Sequence, residues 1–225
     1  MNIGTLNESP LHQSLKELYG DEHGQLEVAV EGYIADVVGS NNTLYEIQTA
    51  GFGSLKRKLA SLLTSYRVVL VHPIAAQKFI VKLPDGEDQQ VIRRKSPKKG
   101  SLNDVLDQLV SIPGFLNHPN FELEVVMTVE EELRIYDPDV RRRNGWRVAQ
   151  RSLTEVLGRR RFRNARDLFS LVPEPLPDAF TTADLASAMS AGRDLAQKLA
   201  YCLREAGEIQ ICGKTGNSLI YERCG

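Results

Sequence analysis

The apolar positions of the first fifty residues change from a helical period to an alternating one. Pro10 follows a serine, an arrangement typical of a helix start. Leu11, Leu15 and Leu18 then recur at helical spacing, and the pattern predicts a helix that ends near Gly20. The next residues alternate between apolar and polar types and are divided by turn sequences. They predict three short strands, over roughly 25–30, 33–38 and 43–49.

A second helix and a buried strand are predicted next. Ser54 is a suitable N-cap for a helix whose inward face carries four leucines, Leu55, Leu59, Leu62 and Leu63. The run Arg-Val-Val-Leu-Val over 67–71 is rich in β-branched residues and suits a buried strand. Because a helix separates this strand from the one before it, the two are expected to be parallel. The order helix, three strands, helix, strand predicts an α/β core.

The middle of the chain carries further strand and helix signals. A Pro-Asp-Gly turn at 84–86 predicts a hairpin with strands over 78–83 and 89–94. Ser101 with Asp104 predicts a capping box at the start of another helix. Residues 121–136 indicate one long strand or a strand pair.

The C-terminal quarter resembles a winged helix-turn-helix domain. Thr181 and Asp184 form a capping-box pair before a short helix over 182–189, and a longer helix is predicted over 193–206. Alternating residues at 208–212 and 218–222 then predict a hairpin. The resemblance lies in the order helix, turn, helix, hairpin.

The composition of the chain indicates the cellular compartment in which the protein is expected. The chain has 225 residues and a net charge of −1, so overall charge does not indicate a partner. The cysteines (Cys202, Cys212 and Cys224) are odd in number and contain no C-x-x-C pair, which argues against a disulfide framework and structural zinc. The N-terminus has no signal-peptide pattern, and no apolar stretch approaches the roughly 18 residues of a membrane span. A cytoplasmic protein without membrane association is expected.

Charge is distributed in blocks along the chain. Residues 101–140 carry nine acidic side chains and one basic one, whereas residues 141–170 carry ten basic and two acidic ones. Such blocks can build an acidic pocket rimmed by basic surface, or they can be unrelated solvated faces, and the pattern leaves both readings open.

Two acidic residues are predicted to face each other across a strand pair. If residues 40–42 form a three-residue loop, in which Asn42 adopts a left-handed conformation, Asp36 lies directly opposite Glu46. Like charges in that arrangement destabilise a sheet, and the apolar neighbours make their solvation costly. A bound cation would remove both penalties. Gln48, two residues after Glu46 on the same face, would add a neutral oxygen. The pattern predicts a Mg²⁺ or Mn²⁺ site.

Aspartate followed by Glu-x-Lys on adjacent strands is the signature of the PD-(D/E)xK nuclease superfamily, and residues 9–73 resemble that superfamily. Ala35 stands where proline is usual, and Gln48 stands where lysine is usual, although some restriction enzymes of this fold have Glu-x-Gln. The resemblance implies a restriction-endonuclease-like fold, a mixed sheet flanked by helices. It further implies that Asp36 and Glu46 bind the metal, while Gln48 orients the attacking water or completes the ligand shell.

Other residues are candidates for accessory roles. Lys56 or Lys58, on the helix that follows, could replace the absent lysine of the motif. The block 45–49 also resembles uncharacterised bacterial proteins in which such a core precedes a winged helix, and there Lys16 and Glu27 occupy corresponding motif positions. Taken singly, each candidate also has a purely structural reading, as a turn-bonded, edge-strand or backbone-bonded residue. The four histidines are scattered and are expected at the surface or in packing roles.

The resemblance to a winged helix implies DNA binding through its second helix. The predicted DNA contacts are Arg193, Gln197 and Lys198 on that helix, Lys214 at the hairpin tip, and an arginine-dense segment that includes Arg141, Arg142, Arg143, Arg159, Arg160 and Arg161. The alternative is that the winged helix binds protein or closes over the nuclease-like core.

Together these features predict two domains, a nuclease-like domain over 1–147 and an arginine-rich lead-in with a winged helix over 148–225. The predicted function is that of a metal-dependent DNA endonuclease that hydrolyses phosphodiester bonds, with DNA as partner and homodimerisation left open. The alternative is a non-catalytic DNA-binding regulator or interaction protein built on an inactive nuclease fold.

Overall fold

The structure, a computed structural model, describes residues 8–83 and 90–224, without the side chains of Arg142 and Arg143. It is a mixed α and β protein with a large sheet flanked by helices and a small C-terminal sheet. The turn predicted at 84–86 and the side chains of these two arginines lie outside the described residues.

The first elements follow the predicted order. Helix α1 spans Pro10–His23, strands β1, β2 and β3 span Gly24–Val30, Tyr33–Gly39 and Thr43–Ile47, helix α2 spans Lys56–Leu62, and strand β4 spans Arg67–Lys82. Strands β1, β2 and β3 form an antiparallel meander, and β3 pairs with β4 in parallel, as predicted. The loop at 40–42 also forms, with φ values of 55° at both Asn41 and Asn42.

The remaining elements complete two sheets. Strand β5 is Ile92–Lys95, helix α3 is Leu106–Leu109, and strands β6 and β7 are Phe121–Tyr136 and Trp146–Phe162. The C-terminal part contains β8 (Ala179–Phe180), α4 (Thr182–Ala188), α5 (Arg193–Glu205), β9 (Ile209–Thr215) and β10 (Ser218–Arg223). The large sheet has the order β1-β2-β3-β4-β6-β7, with β5 paired to β4, and the small sheet has the order β8-β10-β9.

Helix α1 continues past Gly20, where the sequence pattern predicted its end. A Cβ atom on Gly20 would lie 2.4 Å from the Cδ2 atom of Leu26 on β1. This glycine therefore permits close packing between helix and strand, and Gly24 occupies the C-cap position instead.

Strand β7 is absent from the sequence prediction, which assigned residues 148–162 to the lead-in of the second domain. It pairs antiparallel with β6 over nearly the whole length of both strands. The pairing places the basic residues of β7 directly beside the acidic residues of β6, so the two charge blocks meet across a strand pair. The proposed division at 147 falls at the start of a strand of the large sheet.

The two faces of the large sheet are covered by different elements. Helix α1 covers one face, where Leu15 and Tyr19 pack on Val37, Ile47 and Val69. The other face is covered by α2, α3 and the C-terminal helices in one continuous apolar cluster. The C-terminal unit is joined to the large sheet by this shared core.

Charged side chains are buried on the α1 face beside this apolar contact. Glu122 and Glu124 of β6 are each only 6% exposed. Arg161 of β7 donates to both carboxylates, with distances of 2.9 Å to Glu122 Oε2 and 2.8 Å to Glu124 Oε2. The Tyr19 hydroxyl donates to Glu124, and Arg67 donates to Glu122. Every one of these buried anions thus has a cationic partner.

Replacement of Arg161 by methionine is expected to destabilise the fold by about 2 kcal/mol or more, because two buried carboxylates would lose their shared cation. The adjacent Arg160 is exposed and forms no ion pair with any described residue. Arg160→Met, with the same change in charge and size, should shift the unfolding free energy by less than about 0.5 kcal/mol. Denaturant unfolding of both variants measures the difference, and equal effects would contradict this account of the network.

Candidate functional site

The β2–β3 ladder ends at the two predicted metal ligands. The recorded pairs are Val37 with Tyr45 and Val38 with Leu44, and the same register brings Asp36 and Glu46 to the next position. There the Asp36 side chain replaces a backbone acceptor, because its Oδ2 accepts from the Ile47 N–H at 2.8 Å. Strands β2 and β3 thus separate after this last pair, and both carboxylates lie at the point of separation, called the carboxylate fork below.

Glu46 is a buried carboxylate with incomplete neutralisation. It is 3% exposed, and its Oε2 accepts from the Lys58 ammonium group at 2.5 Å. Its Oε1 is buried and has no hydrogen-bond partner among the described residues. Burial raises the pKa of Glu46 to about 7, the negative charge of Asp36 adds to that rise, and Lys58 opposes it.

Lys58 contacts the Glu46 carboxylate, whereas Gln48 contacts neither of the two predicted metal ligands. The Gln48 amide donates to the carbonyl of Ala50 at 2.5 Å, and no described contact joins it to either carboxylate. Lys58 reaches Glu46 from α2 and also donates to the Ile34 carbonyl at 2.6 Å. Lys56, the other candidate on this helix, is exposed.

Helix α1 contributes a histidine and a lysine that border the site. His12 Nε2 lies 3.5 Å from Asp36 Oδ2, and His12 Nδ1 lies 2.8 Å from Glu8 Oε1. Burial lowers the pKa of His12, but the hydrogen bond to Asp36 and the charges of Asp36 and Glu8 outweigh it, so the pKa is raised. Glu8, His12 and Asp36 each offer a ligand atom within 4.8 Å of the others.

Lys16 and Glu27 lie together at the edge of this group. The buried Lys16 ammonium contacts Glu27 Oε1 at 2.6 Å and Glu8 Oε2 at 2.7 Å. Glu27 has a φ of 53°, a left-handed conformation that costs a non-glycine residue roughly 1–2 kcal/mol. The flanking register places it across from Asp36. Backbone strain and a charge network therefore coincide beside the fork.

Glu8 and His12 are not among the site residues predicted from the sequence. A usable signal was present, since Glu8, His12 and Lys16 are spaced four residues apart and fall on one helical face. The spacing of the histidines gave no indication of this group, because the partner of His12 is Asp36 of β2 and not another histidine. His12 contacts two carboxylates of the site, Glu8 and Asp36.

The candidate DNA-binding residues separate into accessible and occupied groups. Arg193 and Gln197 of α5 are exposed and line a cavity of about 290 Å³ together with Asn217 of the hairpin turn. Lys214 is exposed on β9. Lys198 instead contacts Asp107 of α3 at 2.8 Å and Asp194 at 2.5 Å. This lysine joins the C-terminal unit to the rest of the protein.

The arginine-dense segment divides in the same way. Arg159 forms two bonds of 2.6 Å with Glu22 of α1, and Arg161 is held by the buried glutamates of β6. Arg141 and Arg160 are exposed and, within the described parts of the chain, have no ion-pair partner. Only part of the predicted phosphate-binding set is therefore accessible.

Stability is expected to depend on pH through Glu46. Because the pKa of Glu46 is about 7 in the folded protein and near 4.5 when unfolded, the folded state holds the proton more tightly between these values. The resulting stabilisation is complete below about pH 4.5 and is lost as pH rises through 7, on the order of 3 kcal/mol. Denaturant unfolding between pH 5 and 8 in EDTA measures it.

Glu46→Gln is the matched control for this pH dependence, since glutamine keeps the shape and removes the titrating group. The wild-type protein should lose more stability than this variant across the same range. His12, whose pKa is also raised, contributes with the same sign in both proteins. Parallel curves for the two proteins would show that Glu46 ionises as an ordinary carboxyl group.

Comparisons with known proteins establish a family. The family described as "Domain of unknown function (DUF8091)" matches residues 9–163, a range that ends directly after β7. An "Uncharacterized protein" of Treponema pallidum (strain Nichols) is 32% identical over 225 residues, which is 99% of this chain and 88% of that protein. No solved structure matches the chain. Among the described residues, no helix is long and apolar enough to cross a membrane. The match to most of the chain shows that this protein belongs to the DUF8091 family.

Proposed function

We propose that this protein is a metal-dependent DNA endonuclease of the PD-(D/E)xK type, in which Asp36 and Glu46 hold a Mg²⁺ or Mn²⁺ ion. One observation carries the proposal. The buried Glu46 keeps one oxygen without a hydrogen-bond partner among the described residues, and the negative charge of Asp36 on the neighbouring strand raises its pKa further. Burying a charge in that way is costly unless a ligand compensates it.

The order and pairing of the elements support a restriction-endonuclease-like core. The elements follow in the order helix α1, antiparallel strands β1, β2 and β3, helix α2 and parallel strand β4. That is the order the superfamily resemblance implies. The two carboxylates stand on its second and third strands.

The donor set fits a hard divalent cation. Magnesium prefers oxygen ligands and usually takes one or two protein carboxylates, leaving its other positions to water and substrate phosphate. Glu46 Oε1 has no hydrogen-bond partner among the described residues, and Asp36 Oδ2 accepts from the Ile47 N–H. When bound, the ion would stabilise charge on the scissile phosphate and lower the pKa of the attacking water.

The surrounding side chains have distinct tasks in this proposal. Lys58 holds the Glu46 carboxylate in place and provides the positive charge that the motif lysine would supply. His12 and the Ile47 N–H fix the orientation of Asp36. Gln48 could complete the ligand shell only if its amide left the Ala50 carbonyl, so we assign the motif's third role to Lys58.

DNA contact is assigned to the accessible cations. Arg193 and Gln197 lie on the exposed side of α5, beside the β9–β10 hairpin, as in a winged helix that enters a major groove. Lys214, Arg141 and Arg160 are exposed and suit phosphate contacts.

A non-catalytic DNA-binding regulator is the second candidate. The observation in its favour is the Lys58–Glu46 ion pair, which partly neutralises the carboxylate without metal, combined with a Gln48 side chain that turns away. On this reading the α/β core is an inactive scaffold. The cleavage experiment separates the two functions.

Cleavage of plasmid DNA in Mg²⁺ or Mn²⁺ should depend on the site. Glu46→Gln and Asp36→Asn are expected to lower the rate at least about 100-fold, because each removes a metal-binding charge. Lys58→Gln should lower it by a similar factor, whereas the adjacent exposed Lys56→Gln should retain it. Glu155→Gln, a change at an exposed glutamate, controls for the loss of a negative charge.

Metal binding is measured in parallel by calorimetry. Loss of both cleavage and metal binding in Glu46→Gln would support the endonuclease. Wild-type protein that binds DNA but neither binds metal nor cuts would establish the regulator instead.

Arg193 and Lys198 lie on the same helix, α5, but only Arg193 is expected to contribute to DNA binding. Arg193→Ala is expected to weaken duplex binding and to reduce the slope of log affinity against log salt by about one. Lys198→Ala should leave that slope unchanged, because its ammonium group already contacts Asp107 and Asp194. Fluorescence anisotropy at several salt concentrations measures both. Equal slopes for Arg193→Ala and wild type would remove α5 from the DNA interface.

A further inference from the structure

A second polar cavity lies on the large sheet, and neither carboxylate of the fork lines it. Its volume is about 400 Å³, which is within the range of small-molecule sites. Its floor is formed by the distal halves of β4 and β6, whereas Glu46 pairs with Leu70 near the start of β4. The proposed metal ligands Asp36 and Glu46 are therefore not part of this cavity.

One buried carboxylate in this cavity is surrounded by cations from three strands. Glu132 of β6 is 3% exposed. Arg134 donates to its Oε1 at 2.7 and 2.5 Å, Lys78 of β4 lies 3.4 Å from Oε2, and Arg151 of β7 lies 3.6 Å from Oε2. Burial raises the pKa of Glu132, but these three cations outweigh it and lower that pKa. Three positively charged side chains thus surround the single carboxylate of Glu132.

With the other charged groups counted, the lining keeps an excess of one positive charge. Lys98 lines the cavity and forms no ion pair with any residue the structure describes. Glu130 is buried and accepts from the Thr128 hydroxyl at 3.0 Å, and Asp104 is bonded to Ser101 at the start of a helical turn. Seven charged side chains line the space, four positive and three negative, and three of the positive ones converge on Glu132.

The cavity wall is built into the fold. The register between β4 and β6 shifts between Ala75 and Gln77, and the segment 96–100 is tied to β4 on both sides of this bulge. Ser96 N–H donates to the Lys78 carbonyl at 2.7 Å, and Gly100 N–H donates to the Ala75 carbonyl at 2.8 Å. A Cβ atom on Gly100 would lie 2.8 Å from the Ala75 carbonyl oxygen, so only glycine permits this closure.

We propose that this cavity binds a phosphorylated ligand of about mononucleotide size. Several lysine and arginine groups from separate strands suit an anion with several oxygens and more than one charge, which Glu132 alone does not satisfy. Pro73 and Ile74 provide an apolar wall against which a ring can pack. The phosphate could belong to a free nucleotide or to the 5′ end of a nucleic-acid strand, since both present the same group.

Calorimetry in EDTA with deoxyadenosine monophosphate and with a 5′-phosphorylated dinucleotide tests the site in the full chain. Both probes are expected to bind wild type. Lys98→Gln should weaken binding by about tenfold or more, the loss expected for one charge-assisted hydrogen bond. Lys99→Gln, the neighbouring exposed lysine that does not line the cavity, should bind as wild type does.

Three results would overturn the proposal: no binding of either probe at millimolar concentration, equal effects of Lys98→Gln and Lys99→Gln, or equal affinity for a dinucleotide without the 5′ phosphate. Preference for the monophosphate would identify a free nucleotide as the ligand, and preference for the dinucleotide would identify a strand end. Glu46→Gln should leave binding unchanged, so this test succeeds or fails independently of the endonuclease assignment.

Discussion

The large sheet depends on the neutralisation of buried carboxylates by arginine and lysine. Strand β6 lies between β4 and β7, and four of its five glutamates are nearly as buried as its valines. Unpaired charges in such surroundings would cost several kcal/mol each. The arginines of β7, together with Arg67, Lys78 and Arg134, supply the counter-charges. This pairing also explains why an edge strand so rich in cations is aligned along an acidic one.

Against that background, Glu46 is a different kind of buried carboxylate. Burial raises the pKa of Glu122 and Glu132, but adjacent cations outweigh burial and lower both pKa values. The pKa of Glu46 is raised to about 7, because burial and Asp36 outweigh a single lysine. Glu46 also keeps one buried oxygen without a hydrogen-bond partner among the described residues, at the point where two strands separate. That contrast with Glu122 and Glu132 is the physical rationale for the metal site proposed above.

The C-terminal unit shows how tertiary packing selects among equivalent residues. Arg193, Gln197 and Lys198 all lie on the polar side of one amphipathic helix. Packing of α5 against α3 places Lys198 beside Asp107 and leaves the other two facing a cavity. Sequence periodicity identifies which side of a helix is polar, but the neighbouring element determines which part of that side remains accessible.

The sequence by itself determined the local elements and their order, including α1, the three-residue loop before β3 and the parallel pairing of β3 with β4. These follow from helical and alternating periods, caps and turn residues, which act over a few positions. It also brought Asp36 and Glu46 to one register, because register follows from loop length. Only the tertiary structure decided that Lys58 rather than Gln48 contacts Glu46, that His12 borders the site, and that residues 146–162 of the arginine-dense region form a strand. Each of these depends on long-range charge pairing and packing, which no local pattern records.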